Sequence, residues 1–282
     1  MGRSPSGEVW PACPDGGRRR RRRRQLTTAL IDADGLVLLA AAAAETDIEW
    51  PADEDFEETY TLVGDLGLAK VQFKEQLDIL LDKVETAIDT FSHHVLCLTD
   101  SGHDFRRDIW PSYKAKRTRK PLVYYRLREW VIENYGKDVY FRPKLEADDI
   151  LGILATGKII KGEKMIVSID KDLKQIPGLL FNPDKDDEPT EITPADATLW
   201  HLMQTLTGDQ TDGYPGCPGI GPKRAVAIAE AGWPAVVAAF EKAGLTEQDA
   251  IIQARVAKIL TADLYDFKKK EPKLWSPSSC QP

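Results

Sequence analysis

The sequence predicts an α/β fold, with a mostly parallel central sheet flanked by helices and a helical C-terminal part. Three observations carry this. Short apolar runs alternate with longer amphipathic stretches, as they do when each strand is followed by a crossover helix. Carboxylates stand where apolar runs end, at Asp32, Asp100 and Asp170, and open parallel sheets place functional groups at strand C-terminal ends. From Thr193 onward the chain reads as helices separated by a glycine-rich turn.

The chain has 282 residues, 42% of them apolar, enough for one large domain with a helical appendage. Its net charge is −7, unevenly spread. Residues 1–24 end in seven consecutive arginines and carry +6, leaving −13 for the rest. That segment is rich in Pro, Gly and Ser, repels itself and offers no core, so it reads as a disordered tail. The apolar run Gly35–Ala44 is too short to span a bilayer, and Asp32 and Asp34 interrupt any signal-peptide pattern. Cys13, Cys97, Cys217 and Cys280 show no close pairing, which fits a reducing, cytoplasmic compartment and no zinc ribbon.

Leu26–Ile31 reads as a buried strand and Leu36–Glu45 as a helix whose alanines allow close packing. The acidic stretch 45–65 reads as a short hairpin or irregular insert. Lys70–Phe91 has the apolar spacing of an amphipathic helix. Val95–Leu98, Val139–Phe141, Met165–Ile169 and Leu179–Phe181 read as further strands. Thr193 is a good N-cap with Pro194 at the first helical position, and that helix runs to about Leu206. Leu245–Leu264 reads as one more amphipathic helix. Trp50, Trp233 and Trp275 read as packing residues, and the four histidines lack metal-ligand spacing.

The chemistry gathers around Glu146, Asp148 and Asp149, which lie at or just before a helix start. Acids suit a helix N-terminus in any case. Further acids, Asp170 with Asp172 and Asp209 with Asp212, follow a strand and precede a glycine turn. With Asp32 and Asp100, converging strand ends would bring seven or eight carboxylates together. Such groups raise each other's pKa, and a divalent ion with oxygen ligands, Mg2+ or Mn2+, is the ordinary remedy.

From Arg106 to Arg128 the chain holds nine Lys or Arg residues and one acid, with Trp110, Tyr113, Tyr124 and Tyr125 interleaved. Basic groups contact phosphates and rings stack on bases, so this stretch reads as a nucleic-acid surface in an otherwise acidic chain. Gly219-Ile220-Gly221, with Lys223 and Arg224 on the following helix, is a candidate phosphate cradle.

These motifs occur in an order that resembles the 5′-nuclease superfamily of flap endonucleases and 5′→3′ exonucleases, particularly the stand-alone exonucleases of tailed bacteriophages. The resemblance covers roughly residues 26–275 and rests on Leu30-Ile31-Asp32, Thr99-Asp100-Ser101, Tyr113–Arg117, Glu146–Asp149, Ser168–Asp172, Gly208–Tyr214 and Gly216–Arg224. It implies a PIN-like catalytic domain over 25–205 and a helix–turn–helix DNA-binding subdomain over 206–282. It also implies a two-metal phosphodiesterase acting on duplex DNA from 5′ ends or flaps. Asp32, Asp100, Glu146 and Asp148 look like ligands of the first metal, and Asp170, Asp172, Asp209 and Asp212 like those of the second. Asp149 belongs to the same acidic set and looks more like a support than a ligand, although spacing alone does not rank it below Asp148. The stretch at about 104–130 resembles the family's arch or gateway. Lys114 and Arg117 match positions at the scissile phosphate, while Arg106, Arg107, Tyr113, Lys116, Arg119 and Lys120 are DNA-contact candidates. The glycine turn resembles an element that grips duplex DNA, often with K+. Removal of RNA primers from RNA/DNA hybrids and contact with replication proteins are further implications. The rivals are a PIN-type ribonuclease, which would lack the glycine turn, and an inert DNA-binding protein, which would have lost carboxylates.

Overall fold

The computed structural model describes residues 26–52 and 57–277. The expected disordered tail at 1–24 lies outside the described residues, as do Cys13 and Cys280; Cys97 and Cys217 are free and buried.

The chain opens with β1 (Thr27–Asp32) and α1 (Ala33–Ala43), then a hairpin of β2 (Glu45–Trp50) and β3 (Thr59–Gly64). Next come α2 (Leu66–Ala87), β4 (Phe91–Cys97), a short α3 (Arg106–Ile109), α4 (Tyr124–Tyr135) and β5 (Val139–Tyr140). Helix α5 (Ala147–Thr156) leads to β6 (Glu163–Val167), β7 (Gly178–Phe181) and β8 (Thr190–Ile192). The remainder holds α6 (Pro194–Thr207), α7 (Pro222–Glu230), α8 (Trp233–Lys242), α9 (Glu247–Ala257) and a small hairpin of β9 (Tyr265–Asp266) and β10 (Glu271–Pro272).

The main sheet has the order β5-β4-β1-β6-β7-β8. All neighbours are parallel except β8, which runs against β7 at the edge. Side chains alternate between its faces, as the strand repeat requires. Leu30, Val95, Cys97 and Ile166 pack with Leu151 and Leu154 of α5, while Ala29, Ile31, Leu96 and Met165 pack under α1, α2 and α4. A third cluster, including Leu206, Ala225, Val236, Phe240 and Ala250, joins α6 to α9. The chain passes from β1 to β4 on one side and later returns to β6 on the other. The crevice beyond the ends of β1 and β6 is therefore the topological switch point, where such sheets bind ligands.

Local chemistry sets several boundaries. Thr193 caps α6 reciprocally with Asp196, with Pro194 in the first turn, as read from sequence. Helix α2 starts at Leu66 rather than Lys70, because Asp65 accepts from Leu68 N at 3.0 Å; Phe91 belongs to β4 instead. The helix expected over Leu245–Leu264 is shorter, because the backbone after Ala257 is claimed by other side chains. Lys258 O accepts from Arg106, Ile259 N donates to Gln175 and Leu260 N donates to Asp149. Trp233 and Trp275 pack together with ring centroids 4.9 Å apart, whereas Trp50, expected to pack, is 55% exposed on the β2–β3 hairpin. Among the described residues no helix is long and apolar enough to cross a membrane.

Helix α5 lies so close to the 258–260 segment that a Cβ on Gly152 would stand 2.2 Å from Leu260 O and 2.8 Å from Ile176 Cδ1. Gly152→Ala is expected to destabilise the fold by about 1–3 kcal/mol through overpacking. Gly35→Ala in α1, where nothing lies within 4 Å, is expected to be neutral or to stabilise by roughly 0.5–1 kcal/mol. Denaturant unfolding compares the two; equal stabilities would show that α5 does not rest on the 258–260 backbone.

Candidate active site

Each strand that ends at the crevice delivers a carboxylate. Asp32 terminates β1 and caps α1, accepting from Asp34 N at 3.3 Å. Asp100 follows β4, and its Oδ2 accepts from Lys144 N at 3.2 Å. Asp170 follows β6 and accepts from Asp172 N at 2.8 Å. Glu146 and Asp148 sit at the first turn of α5, which Thr99 helps to fix by accepting from Ala147 N at 3.0 Å. Asp32, Asp34, Asp100, Glu146, Asp148 and Asp170 line one cleft of about 650 Å³. Lys114, Arg117, Arg119 and Lys120 line the same cleft.

Two of the carboxylates have little to compensate them. Burial, with Asp34 and Asp170 nearby, pushes Asp32 up to about 7. Burial, then Asp32 and Asp170, raises Asp148 well above the usual carboxylate range. Burial beside Asp170 lifts Asp172 to about 6. Glu146 is the exception. Its burial would raise it, but Lys114 and Arg106 outweigh that and hold it at about 2.

The base of the basic stretch is a docked turn. Lys114 N donates to Asp212 O at 2.8 Å and Trp110 Nε1 to Gly213 O at 2.8 Å. Lys114 is held at φ 55°, in the left-handed region that most residues avoid. Its Nζ donates to Glu146 Oε1 and stands 3.7 Å from Asp212. Arg117 donates to Asp212 at 3.0 Å. Asp212 therefore faces the basic turn, while Asp209 acts electrostatically on Asp172 and caps its own loop through Thr211 N and Asp212 N.

Buried contacts bear on three of the residues singled out in the sequence. Asp149 is fully buried and both its oxygens are taken by Arg106 at 2.7 Å, with Glu146 N and Leu260 N as further donors. It has no lone pair to offer a metal and supports Glu146 from behind. Arg106 is only 2% exposed and also donates to Val256 O and Lys258 O, so it is not a DNA contact. Tyr113 is buried, with its hydroxyl donating to Glu146 at 2.9 Å, so its ring is not a stacking platform. Arg107 and Lys116 are exposed, Arg119 reaches Glu45 at 2.7 Å, and Lys120 lies 4.4 Å above the Tyr124 ring. Gly219, Gly221, Lys223 and Arg224 do not line the cleft; Gly219 has φ 74° and Arg224 donates to its carbonyl at 3.0 Å.

The sequence reading left out several participants. Asp34 lines the cleft and accepts from Thr99 N at 3.1 Å; its spacing from Asp32 was the available signal. Ser168 donates to Asp32 at 3.0 Å. Burial raises Asp104 to about 7 against the opposing pull of Arg106. Lys144 lines the cleft at φ 65°.

Residues 70–183 match the family described as 5′-3′ exonuclease, N-terminal resolvase-like domain. The chain is 30% identical to the exodeoxyribonuclease of Enterobacteria phage T3, over 89% of this chain and 93% of that protein. It belongs to the 5′-3′ exonuclease family. The exonuclease of Escherichia phage T7 is likewise 30% identical, over 88% of this chain and 93% of its own. The fold is similar to that of the T5 D15 protein co-crystallised with metal ions, with a TM-score of 0.57 at 12% identity over 83% of this chain and 89% of that one.

The cleft of this exonuclease suits a divalent cation on its own chemistry. Its donors are carboxylate oxygens, and Asp32 and Asp148 are half-buried, with the charge of Asp32 raising Asp148. Asp172, which neighbours Asp170 outside the cleft lining, has its Oδ1 buried without a hydrogen-bond partner among the described residues. Among those residues no three side chains already close on one point, so water or substrate phosphate would complete a coordination shell, as Mg2+ commonly requires.

In chelator, Asp32, Asp104 and Asp172 are held at about 7, 7 and 6, above the unfolded carboxylate value. The folded chain then binds more protons than the unfolded one, so stability present at low pH is lost as pH rises through those values. Glu146 is shifted the other way, and its contribution is lost only as pH falls toward 2. The melting temperature of the metal-free protein is expected to fall between about pH 4 and about pH 7, and Mn2+ is expected to reduce that fall, the part due to Asp104 remaining. Calorimetry across the window checks this; a pH-independent melt in chelator would show that the acids do not destabilise one another.

Proposed function

We propose that this exonuclease is a two-metal phosphodiesterase that degrades duplex DNA from 5′ ends and short flaps, releasing 5′-phosphorylated products. The observation that carries the reading is that half-buried carboxylates held above their usual range and the basic turn face the same cleft. Residues 25–205 would be the catalytic domain, with the gateway at about 104–130, and 206–282 would hold duplex DNA. When bound, two divalent ions, Mg2+ by preference, would activate a water and neutralise charge at the leaving 3′ oxygen. Asp32, Asp100, Glu146 and Asp148 would hold one, and Asp170, Asp172, Asp209 and Asp212 the other. Asp149 is not among them.

The chain's own groups do the rest. Lys114, now spread between Glu146 and Asp212, would turn toward the scissile phosphate once those acids have another cation. Arg117 stands beside it on Asp212. Lys120, on the cleft wall, and the exposed Arg107 and Lys116 would hold the backbone on either side. The turn at Gly219–Arg224 would grip the duplex, with K+ as a candidate ion there. RNA strands of hybrid ends and contact with replication proteins extend the same reading, on the strength of the family resemblance. The full set of carboxylates favours catalysis over inert binding.

A duplex labelled at one 5′ end tests this directly. With Mg2+ the label is expected to leave early on short 5′-phosphorylated products, and with chelator it is expected to stay. Shortening from the 3′ ends while the 5′ label persists would overturn the reading.

Lys114 and Lys120 separate chemistry from tethering. An ammonium that meets the charge developing on phosphate oxygens lowers the barrier itself. Lys114→Ala is expected to cut single-turnover cleavage by about 10²–10³ even at saturating enzyme. Lys120→Ala is expected to recover when more enzyme is supplied. Full recovery of Lys114→Ala at saturation would make Lys114 a tether.

A further inference from the structure

The β9–β10 hairpin carries charge that the proposed site does not use. Asp266 pairs with Glu271 and Tyr265 with Pro272, leaving the four-residue loop Phe267-Lys268-Lys269-Lys270. The loop is held in place from below. Tyr265 and Trp275 are buried in the main core, Asp266 Oδ1 accepts from Lys268 N and Lys269 N at 2.9 and 3.0 Å, and Lys270 N donates to Asp266 O at 2.7 Å. The Asp266 carboxylate is thereby occupied in shaping the turn, and Lys273 and Lys269 act on it electrostatically. Lys268, Lys269 and Lys270 are all exposed, and none has a carboxylate within 4 Å among the described residues. Lys270 sits at φ 60°, where a glycine would be less strained, so what the lysine adds at that position is its charge.

The loop has basic neighbours. Lys273 is exposed at the hairpin's exit, and Arg142 acts electrostatically on Tyr265 at its base. Two residues beyond Arg142, Lys144 lines the cleft. Positive groups therefore run from the cleft wall through Arg142 to a fixed turn of three lysines, in a chain of net charge −7. Three adjacent like charges, carried on a backbone turn that hydrogen bonds hold and without a carboxylate within 4 Å among the described residues, repel one another and gain most from a partner with closely spaced negative charge.

We infer that the lysine turn at residues 268–270, with Lys273 and Arg142, is a binding site for the phosphodiester backbone of DNA outside the cleft. The inference rests on the reading of DNA as substrate. It adds a second hold on the substrate, distinct from the gateway and from the Gly219–Arg224 turn. The backbone has two sources, duplex and single strand. Phe267 separates them, because it is 49% exposed beside the lysines and could stack on an unpaired base, whereas a duplex offers it none.

The test uses the full chain and fluorescence anisotropy in chelator, with a labelled duplex and a labelled single strand of equal length, over about 50–200 mM salt. The variant is Lys268→Glu/Lys269→Glu/Lys270→Glu. Lys74→Glu/Lys83→Glu/Lys137→Glu, on the opposite face of the sheet, controls for net charge. The turn variant is expected to melt like the parent and to bind DNA at least tenfold more weakly at low salt. Its slope of log affinity against log salt is expected to shrink by about 2–3. Its single-turnover rate at saturating enzyme is expected to match the parent, and the control to change much less. Loss confined to the single strand, shared by Phe267→Ala, would identify that strand as the ligand; loss on the duplex with Phe267→Ala silent would identify the duplex. Affinity and slope equal to those of the control on both probes would overturn the inference. A parent protein that neither binds nor cleaves DNA would instead overturn the functional reading on which it rests.

Discussion

The site depends on one buried ion pair. Arg106 and Asp149 meet through two parallel hydrogen bonds at 2.7 Å, in a place from which water is excluded. Such a pair repays its desolvation only when its remaining donors and lone pairs are also satisfied. Here Val256 O and Lys258 O take further Arg106 donors, while Glu146 N and Leu260 N take the rest of Asp149. The pair thus joins the gateway base, the first turn of α5 and the stretch after α9. Removing one partner would strand the other's charge at a cost of about 3–5 kcal/mol. It would also free Glu146, on which Tyr113 and Lys114 converge.

Around this pin the carboxylates divide into two kinds. Glu146 already has cationic neighbours, and Asp212 has Arg117 and Lys114. Asp32 has mainly the like charges of Asp34 and Asp170 beside it, and Asp148 those of Asp32 and Asp170. The first kind shapes the protein without help, whereas the second is a local source of instability that a cation relieves. On the proposed reading, cation binding and the release of Lys114 would be opposite sides of one charge balance.

Much of this was legible in the sequence. The strands that carry Asp32, Asp100 and Asp170 announce themselves by apolar runs, and the α6 start by Thr193-Pro194, because both signals are local. The short elements β8, β9 and β10 have too few residues for any periodicity to show. Arg106 and Tyr113 were misread for another reason. Within a basic, aromatic stretch, a residue that turns inward looks the same as one facing solvent, and the acceptors that decide it are far along the chain. For Arg106 they include Val256 O, 150 residues away. Asp148 and Asp149 are the sharpest case: adjacent and chemically identical, they are separated only by the helical turn that sends one toward the cleft and the other toward the core.

The close passage of the 258–260 backbone beneath Gly152 has a consequence for the order in which the protein is made. Strand β1, the first element, lies in the middle of the sheet and can pair with β4 and β6 as soon as they exist. The acceptors for Arg106 and the second backbone donor for Asp149 come from residues 256–260, made well after Arg106 and Asp149 themselves. At about 5–20 residues per second, the ribosome takes several seconds to pass from Asp149 to Leu260. Within that interval β6 to β8 and the acids up to Asp212 are added, so the sheet and its acids are in place before their central pin is seated. The 256–260 segment acts as a latch, so cleavage competence should arrive abruptly once that segment is made, rather than growing with the sheet.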